Sequence, residues 1–208
     1  MKKIFHSLFF SLFFFFATCI AAGEKPNLVN LEDVIPNIKI HLYYATTKNF
    51  TGKILYNSKK CYLLKEAAEK LKLVQEYLEK QGYGLKVWDG YRPRSAQYKM
   101  WNVCPDPKYV ADPKKGSIHN SGAAVDVTLI DLKTGEEVEM PTEFDDFSKK
   151  AGANWEEGIS KDAIKHRKLL QKAMQDHGFQ PYKNEWWHFN YQGFEKYTVL
   201  DINIEDIK

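Results

Sequence analysis

The chain has 208 residues, 44% of them hydrophobic and 27% charged, with a formal net charge of +3. That length and balance suit one compact domain with a sizeable core. Lys and Glu are mixed along the chain rather than gathered in blocks, so nothing points to a nucleic-acid or anionic-membrane partner.

The N-terminus reads as a targeting segment. Lys2 and Lys3 form a short positive region, Ile4 to Ile20 is almost wholly apolar, and Ala21-Ala22 offers small residues for cleavage. This predicts a secretory signal peptide over residues 1–22, a single domain over 23–208, and an exported protein, periplasmic or secreted. An uncleaved anchor fits less well because the apolar run is short for a spanning helix. Lipidation at Cys19 fits less well still, because Phe16-Ala17-Thr18 is a poor lipoprotein context. Losing residues 1–22 removes two lysines and no acid, which brings the net charge from +3 to +1. No stable membrane association is expected after cleavage. Cys61 and Cys104 remain, free to pair once or to stay as two thiols.

After a flexible lead-in over Glu24 to Asn30, the alternation of Ile38, Ile40 and Leu42 predicts a strand. Thr46 to Gly52 is a polar loop with turn chemistry. Leu63, Leu64, Ala67, Leu71, Val74 and Leu78 recur at helical spacing, which predicts a helix from Cys61 to Gly82. Leu85 to Trp88 follows as a short strand running into Asp89-Gly90-Tyr91-Arg92-Pro93. Ser95 to Trp101 is expected to turn helically, and Pro105 to Lys115 to be loop. Gly122 to Ile130 alternates as a strand that presents Asp126 on one face and Val125, Val127 and Leu129 on the other. Thr134-Gly135 predicts a hairpin turn into Val138. Lys161 to His177 is a second helix, with Gly178 just past its end. Trp186 to Tyr191 is a last strand. Strands and helices mix without regular βαβ alternation, so the expected architecture is α+β, an antiparallel sheet with helices packed on it.

Two motifs carry the chemistry: Ser117-Ile-His119-Asn-Ser-Gly122-Ala-Ala-Val-Asp126 and Glu185-Trp-Trp-His188. His119, Asp126 and His188 supply two imidazoles and a carboxylate, the donor set of a catalytic zinc site with an open position. Gly122 and Ala124 are expected to leave little bulk beside the metal. Glu185 is the candidate general base for a metal-activated water. Residues three apart on a regular strand point to opposite faces, so Glu185 needs a turn or bulge to share a site with His188. Arg92, stiffened by Pro93, is a candidate for stabilising an oxyanion. His41, His166 and His177 lack a convergent carboxylate and read as ordinary structural histidines. Trp186 and Trp187 read as core and pocket wall.

These motifs resemble those of the zinc D-Ala-D-Ala metallopeptidases, which share their fold with the hedgehog signalling domain. Tyr44-Ala45-Thr46, Asn49-Phe50-Thr51-Gly52, Trp88-Asp89-Gly90-Tyr91-Arg92-Pro93, Phe144-Asp145 and the doubled tryptophan before His188 are similar to the dipeptidase branch. The surrounding Asp146-Phe147-Ser148 departs from the family pattern. The resemblance runs from about Ile38 to Tyr191. It implies one zinc ion on His119, Asp126 and His188, with Glu185 as base and Arg92 steadying the scissile carbonyl. It further implies that Asp145 binds the free ammonium of a small dipeptide and that Ser117 assists at the substrate end. The expected reaction is hydrolysis of D-Ala-D-Ala to two D-alanines, in recycling or scavenging of cell-wall dipeptide. A D,D-carboxypeptidase, a peptidoglycan endopeptidase and a non-catalytic zinc module are the alternatives.

Overall fold

The structure, a computed structural model, describes residues 26–207, so the segment read as a signal peptide lies outside the described residues. Its centre is a five-stranded sheet in the order β2 (Lys39–Ile40), β4 (Tyr83–Asp89), β5 (Ala124–Asp131), β7 (Glu185–Tyr191) and β6 (Phe179–Tyr182). A separate antiparallel ribbon pairs β1 (Leu28–Asn30) with β3 (Tyr62–Leu64). The helices are α1 (Leu31–Val34), α2 (Lys65–Glu79), α3 (Arg94–Val103) and α4 (Lys161–Asp176).

The α+β reading holds, with one change. The sheet is mixed, because β2 runs parallel to β4 while the other pairs are antiparallel. The chain between β2 and β4 includes α2, and a crossover of that kind is what a parallel pair requires. The expected strand from Ile38 to Leu42 shrinks to Lys39–Ile40.

Two further expectations are corrected together. The helix predicted from Cys61 begins only at Lys65, and the lead-in predicted to be flexible carries a strand at Leu28–Asn30. Leu63 and Leu64 are fully buried. A short apolar run of this kind fits a buried strand as well as the start of a helix, and pairing with β1 decides the matter. From Lys65 onward the periodic stripe acts as predicted: Ala67, Ala68, Leu71, Val74 and Leu78 are buried as α2 packs on β4. Gln75 on the same face accepts from the Leu85 backbone N–H at 2.8 Å, tying helix to sheet. The second predicted helix forms as α4, capped where the Ser160 side chain accepts from Ala163 N–H at 3.0 Å, and it packs on β6.

Strand β5 lies at the middle of the sheet and is buried along all but its last residue. Val125, Val127 and Leu129 join the hydrophobic core. Cys61 is buried, Cys104 is half-buried, and both are free thiols. Among the described residues no helix is long and apolar enough to cross a membrane.

Candidate active site

His119 sits in a single 3-10 turn, Ile118–Ser121, whose ends are both fixed. At the start, the Ser117 hydroxyl accepts from His119 N–H at 3.3 Å while the Asn120 side chain accepts from Ser117 N–H at 2.7 Å, a reciprocal cap. At the end, Gly122 takes a left-handed φ of 74°. A Cβ on Gly122 would stand 2.4 Å from a Leu28 methyl and 3.0 Å from the Leu64 backbone nitrogen. Gly122 therefore does not clear space beside a metal, as the sequence suggested; it lets the β1–β3 ribbon close against the turn. The same turn is stitched to the loop after β4. Arg92 N–H donates to the His119 carbonyl at 3.1 Å, and the Asn120 side chain donates to the Arg92 carbonyl at 2.8 Å.

The sheet register supplies the other two members of the cluster. Asp126 on β5 lies directly opposite His188 on β7. His119 Nε2, Asp126 Oδ1 and His188 Nδ1 converge, with separations of 3.1, 3.0 and 3.4 Å between them. Each imidazole is oriented from behind. His119 Nδ1 donates to the Gly90 carbonyl at 2.8 Å, and His188 Nε2 donates to Asn190 Oδ1 at 2.7 Å. With those protons on the outer nitrogens, the neutral form of each ring turns a lone pair toward Asp126, the tautomer a metal needs. Two imidazole nitrogens and one carboxylate oxygen facing one point are a donor set able to hold a cation. Their spacing also fits zinc, since tetrahedral ligands at about 2.0–2.1 Å lie roughly 3.3–3.4 Å apart. Backing of ligand histidines by a carbonyl and an amide is the usual outer support of such a site. Burial opposes the Asp126 charge, yet His119 and His188 hold its carboxyl below the ordinary carboxylate range.

Glu185 reaches this cluster through an irregularity in β7. Pro181 pairs with Phe189 but Tyr182 pairs with Glu185, so the intervening residues of β7 bulge. The turn or bulge that the spacing demanded is therefore a bulge within the strand itself. It brings Glu185 Oε2 within 3.9 Å of His188 Nδ1 although the two residues are three apart. Burial lifts the Glu185 carboxyl to about 7, with Asp126 and Asp145 pushing the same way and His188 and Arg92 pulling against them.

Arg92 is buried, and its guanidinium is fixed on two sides. Nη1 donates to Asp89 Oδ2 at 2.5 Å and Nε donates to Gln97 Oε1 at 3.2 Å, while the guanidinium carbon lies 5.1 Å from the Tyr44 ring centre. Burial works against its charge, but the Asp89 carboxylate beside it holds the pKa above the ordinary arginine value. Asp145 stands on a loop at a left-handed φ of 61°. Its carboxylate accepts from Tyr44 O–H at 2.7 Å and from Phe50 N–H at 3.3 Å. Burial raises it to about 7. Ser117, Arg92, Asp145 and Glu185 line one cavity of about 290 Å³ with the three-donor cluster. That volume is at the small end for ligand pockets.

The sequence model for D-Ala-D-Ala dipeptidase matches residues 24–202. A D-alanyl-D-alanine dipeptidase of Escherichia coli (strain K12) is 36% identical over 178 residues, covering 86% of this chain and 91% of that protein. A D-alanyl-D-alanine dipeptidase of Enterococcus faecium is 34% identical over 179 residues, covering 76% of this chain and 88% of the relative. The chain belongs to the D-Ala-D-Ala dipeptidase family of zinc metallopeptidases. A solved LD-carboxypeptidase aligns with 83% of this chain and 71% of its own, at 24% identity and a TM-score of 0.47.

In this dipeptidase-family chain the least legible member of the site is Asp89. The sequence showed it only as part of the stretch before Arg92, with no role. Here it is fully buried at the end of β4, opposite Asp126. It accepts from Tyr56 O–H at 2.7 Å, binds Arg92, and lies 3.4 Å from His119 Nδ1. One carboxylate therefore positions both Arg92 and the back of His119. Its local signal was a carboxylate and a guanidinium three apart across a glycine. Gly90 is itself required, because a Cβ there would stand 2.6 Å from Cys61 Sγ and 2.7 Å from the Tyr62 carbonyl. Asn190, which orients His188, had no sequence signal beyond standing two residues after it.

Proposed function

We propose that this family member holds one zinc ion on His119, Asp126 and His188 and hydrolyses D-Ala-D-Ala to two D-alanines. The observation that carries this reading is the shared cavity. Glu185 lies 3.9 Å from the three-donor cluster, and Asp145 lines the same small space. When bound, zinc supplies Lewis acidity toward the scissile carbonyl and the attacking water.

The chain's own residues supply the rest. Glu185 Oε2 takes a proton from the attacking water and returns it to the departing amine. Arg92 keeps Nη2 without a hydrogen-bond partner among the described residues, so that N–H group is available to the oxygen that gains charge as the carbonyl is attacked. Asp145 accepts from the substrate's ammonium by charge-assisted hydrogen bonds. Ser117 forms the wall beside His119. The net change is addition of one water across one peptide bond.

The reading extends to location. The positive Lys2-Lys3 followed by the apolar run to Ile20 supports an exported enzyme that acts on dipeptide from wall turnover. Fractionation tests this part: active, unprocessed protein confined to the cytoplasm would overturn it. The chemical reading is tested by a chiral dipeptide panel with and without chelator, together with an N-acylated tripeptide. Zinc-dependent cleavage of free D-Ala-D-Ala and rejection of the acylated peptide is the expected pattern. Preference for the acylated peptide would move the enzyme to the carboxypeptidases.

A further inference from the structure

Three rings from three separate loops line the same cavity beside Asp145. Phe147 stands two residues beyond Asp145. It stacks on Tyr109, with ring centres 4.6 Å apart and planes at 28°, and meets Phe50 edge-on at 5.2 Å. All three rings line the cavity, and none belongs to a helix or strand. Phe50 also supplies the backbone N–H that binds Asp145. The Asp145 carboxylate and the ring cluster are therefore one assembly, a carboxylate with aromatic bulk beside it.

We propose that Phe147, held between Phe50 and Tyr109, is the specificity-determining residue that limits substrates to two residues by filling the space an amino-terminal extension would occupy. This rests on the reading of Asp145 as the ammonium partner. A peptide extended at its amino end meets two separate obstacles. It has no ammonium to offer Asp145 at that position, and its added atoms run into the Phe147 ring. A buried carboxylate left without its cation is costly, and a filled pocket rejects added bulk by steric overlap. The two obstacles are separable because they lie on different side chains.

The test is a cycle of wild type, Asp145→Asn, Phe147→Ala and the double variant, assayed on D-Ala-D-Ala and on N-acetyl-D-Ala-D-Ala. Asp145→Asn alone is expected to lose the free dipeptide without gaining the acetylated one. Adding Phe147→Ala is expected to raise kcat/KM on the acetylated substrate by about 10- to 100-fold over Asp145→Asn alone. Phe147→Leu, which keeps apolar filling but cannot stack, gives an intermediate gain and covers the case in which alanine loosens the loop. If neither Phe147 change raises turnover of the acetylated substrate, in variants that retain zinc and a folded circular-dichroism spectrum, the proposal is overturned. Failure of the underlying reading looks different: the wild type itself would then not cleave D-Ala-D-Ala.

Discussion

Asp126 and His188 face one another across paired strands, whereas Asp145, Phe147 and Tyr109 stand on loops joined by side-chain contacts. The first wall is fixed by backbone hydrogen bonds and by partners behind each imidazole. The second is fixed by single contacts: one Tyr44 hydroxyl, one Phe50 N–H, one ring stack and one edge-on ring contact. Strand-borne groups hold a geometry within fractions of an ångström, while loops carry what must differ among substrates. By that division the strand wall tolerates little and the loop wall can be retuned.

The strand wall can be broken most severely at the base. Glu185→Gln is expected to keep zinc and to lower kcat by roughly 10²- to 10⁴-fold, the usual contribution of general acid–base catalysis. Metal content measured beside kcat checks it, and undiminished turnover with zinc retained would remove Glu185 from the role. Asp89→Ala comes next. It leaves the buried Arg92 guanidinium without its partner, and breaking such a pair costs about 3–5 kcal/mol. Denaturant unfolding of the metal-free protein reads that loss directly. Asn190→Ala is milder: it frees the His188 ring at Nε2, and loss of a ligand's outer partner lowers metal affinity by about 10- to 100-fold. A competition titration with a chromophoric chelator measures it, and an unchanged affinity would mean that the bulge alone orients His188.

The same division explains what the sequence revealed. Two motifs carrying the donor types of a zinc site were enough to expect His119, Asp126 and His188 together, and strand geometry demanded a turn or bulge to bring Glu185 to them. Both follow from local rules. What escaped depends on chain segments that meet only in the fold. Tyr62–Leu64 could be read as helix because its partner, Leu28–Asn30, lies in a stretch with no strong strand pattern of its own. Gly122 was read as space for a metal, but the neighbour that demands a glycine is the β1–β3 ribbon, which no local pattern announces. Asp89 gave no sign of joining Tyr56, Arg92 and His119, because a buried carboxylate's partners are set by tertiary packing. On the loop wall, Asp145 came only through the resemblance and the Phe147–Tyr109 stack had no signal, since ring stacks between loops leave no periodicity.

The gentlest probe falls on that loop wall. Burial raises the Asp145 carboxyl to about 7 in the folded, metal-free protein, against the ordinary value of 3.8. Between those two values the native state keeps a proton that the unfolded chain has released, so this group costs stability as pH rises from about 4 to 7. Asparagine mimics the neutral acid and tolerates the left-handed backbone at this position. The melting temperature of metal-free Asp145→Asn, measured relative to wild type, is therefore expected to climb between about pH 4 and pH 7 and to level off above that range. A difference that stays flat with pH would mean that the Tyr44 and Phe50 hydrogen bonds already compensate the ionised carboxylate. In that case ammonium recognition would rest on the shape of the loop wall more than on an uncompensated charge.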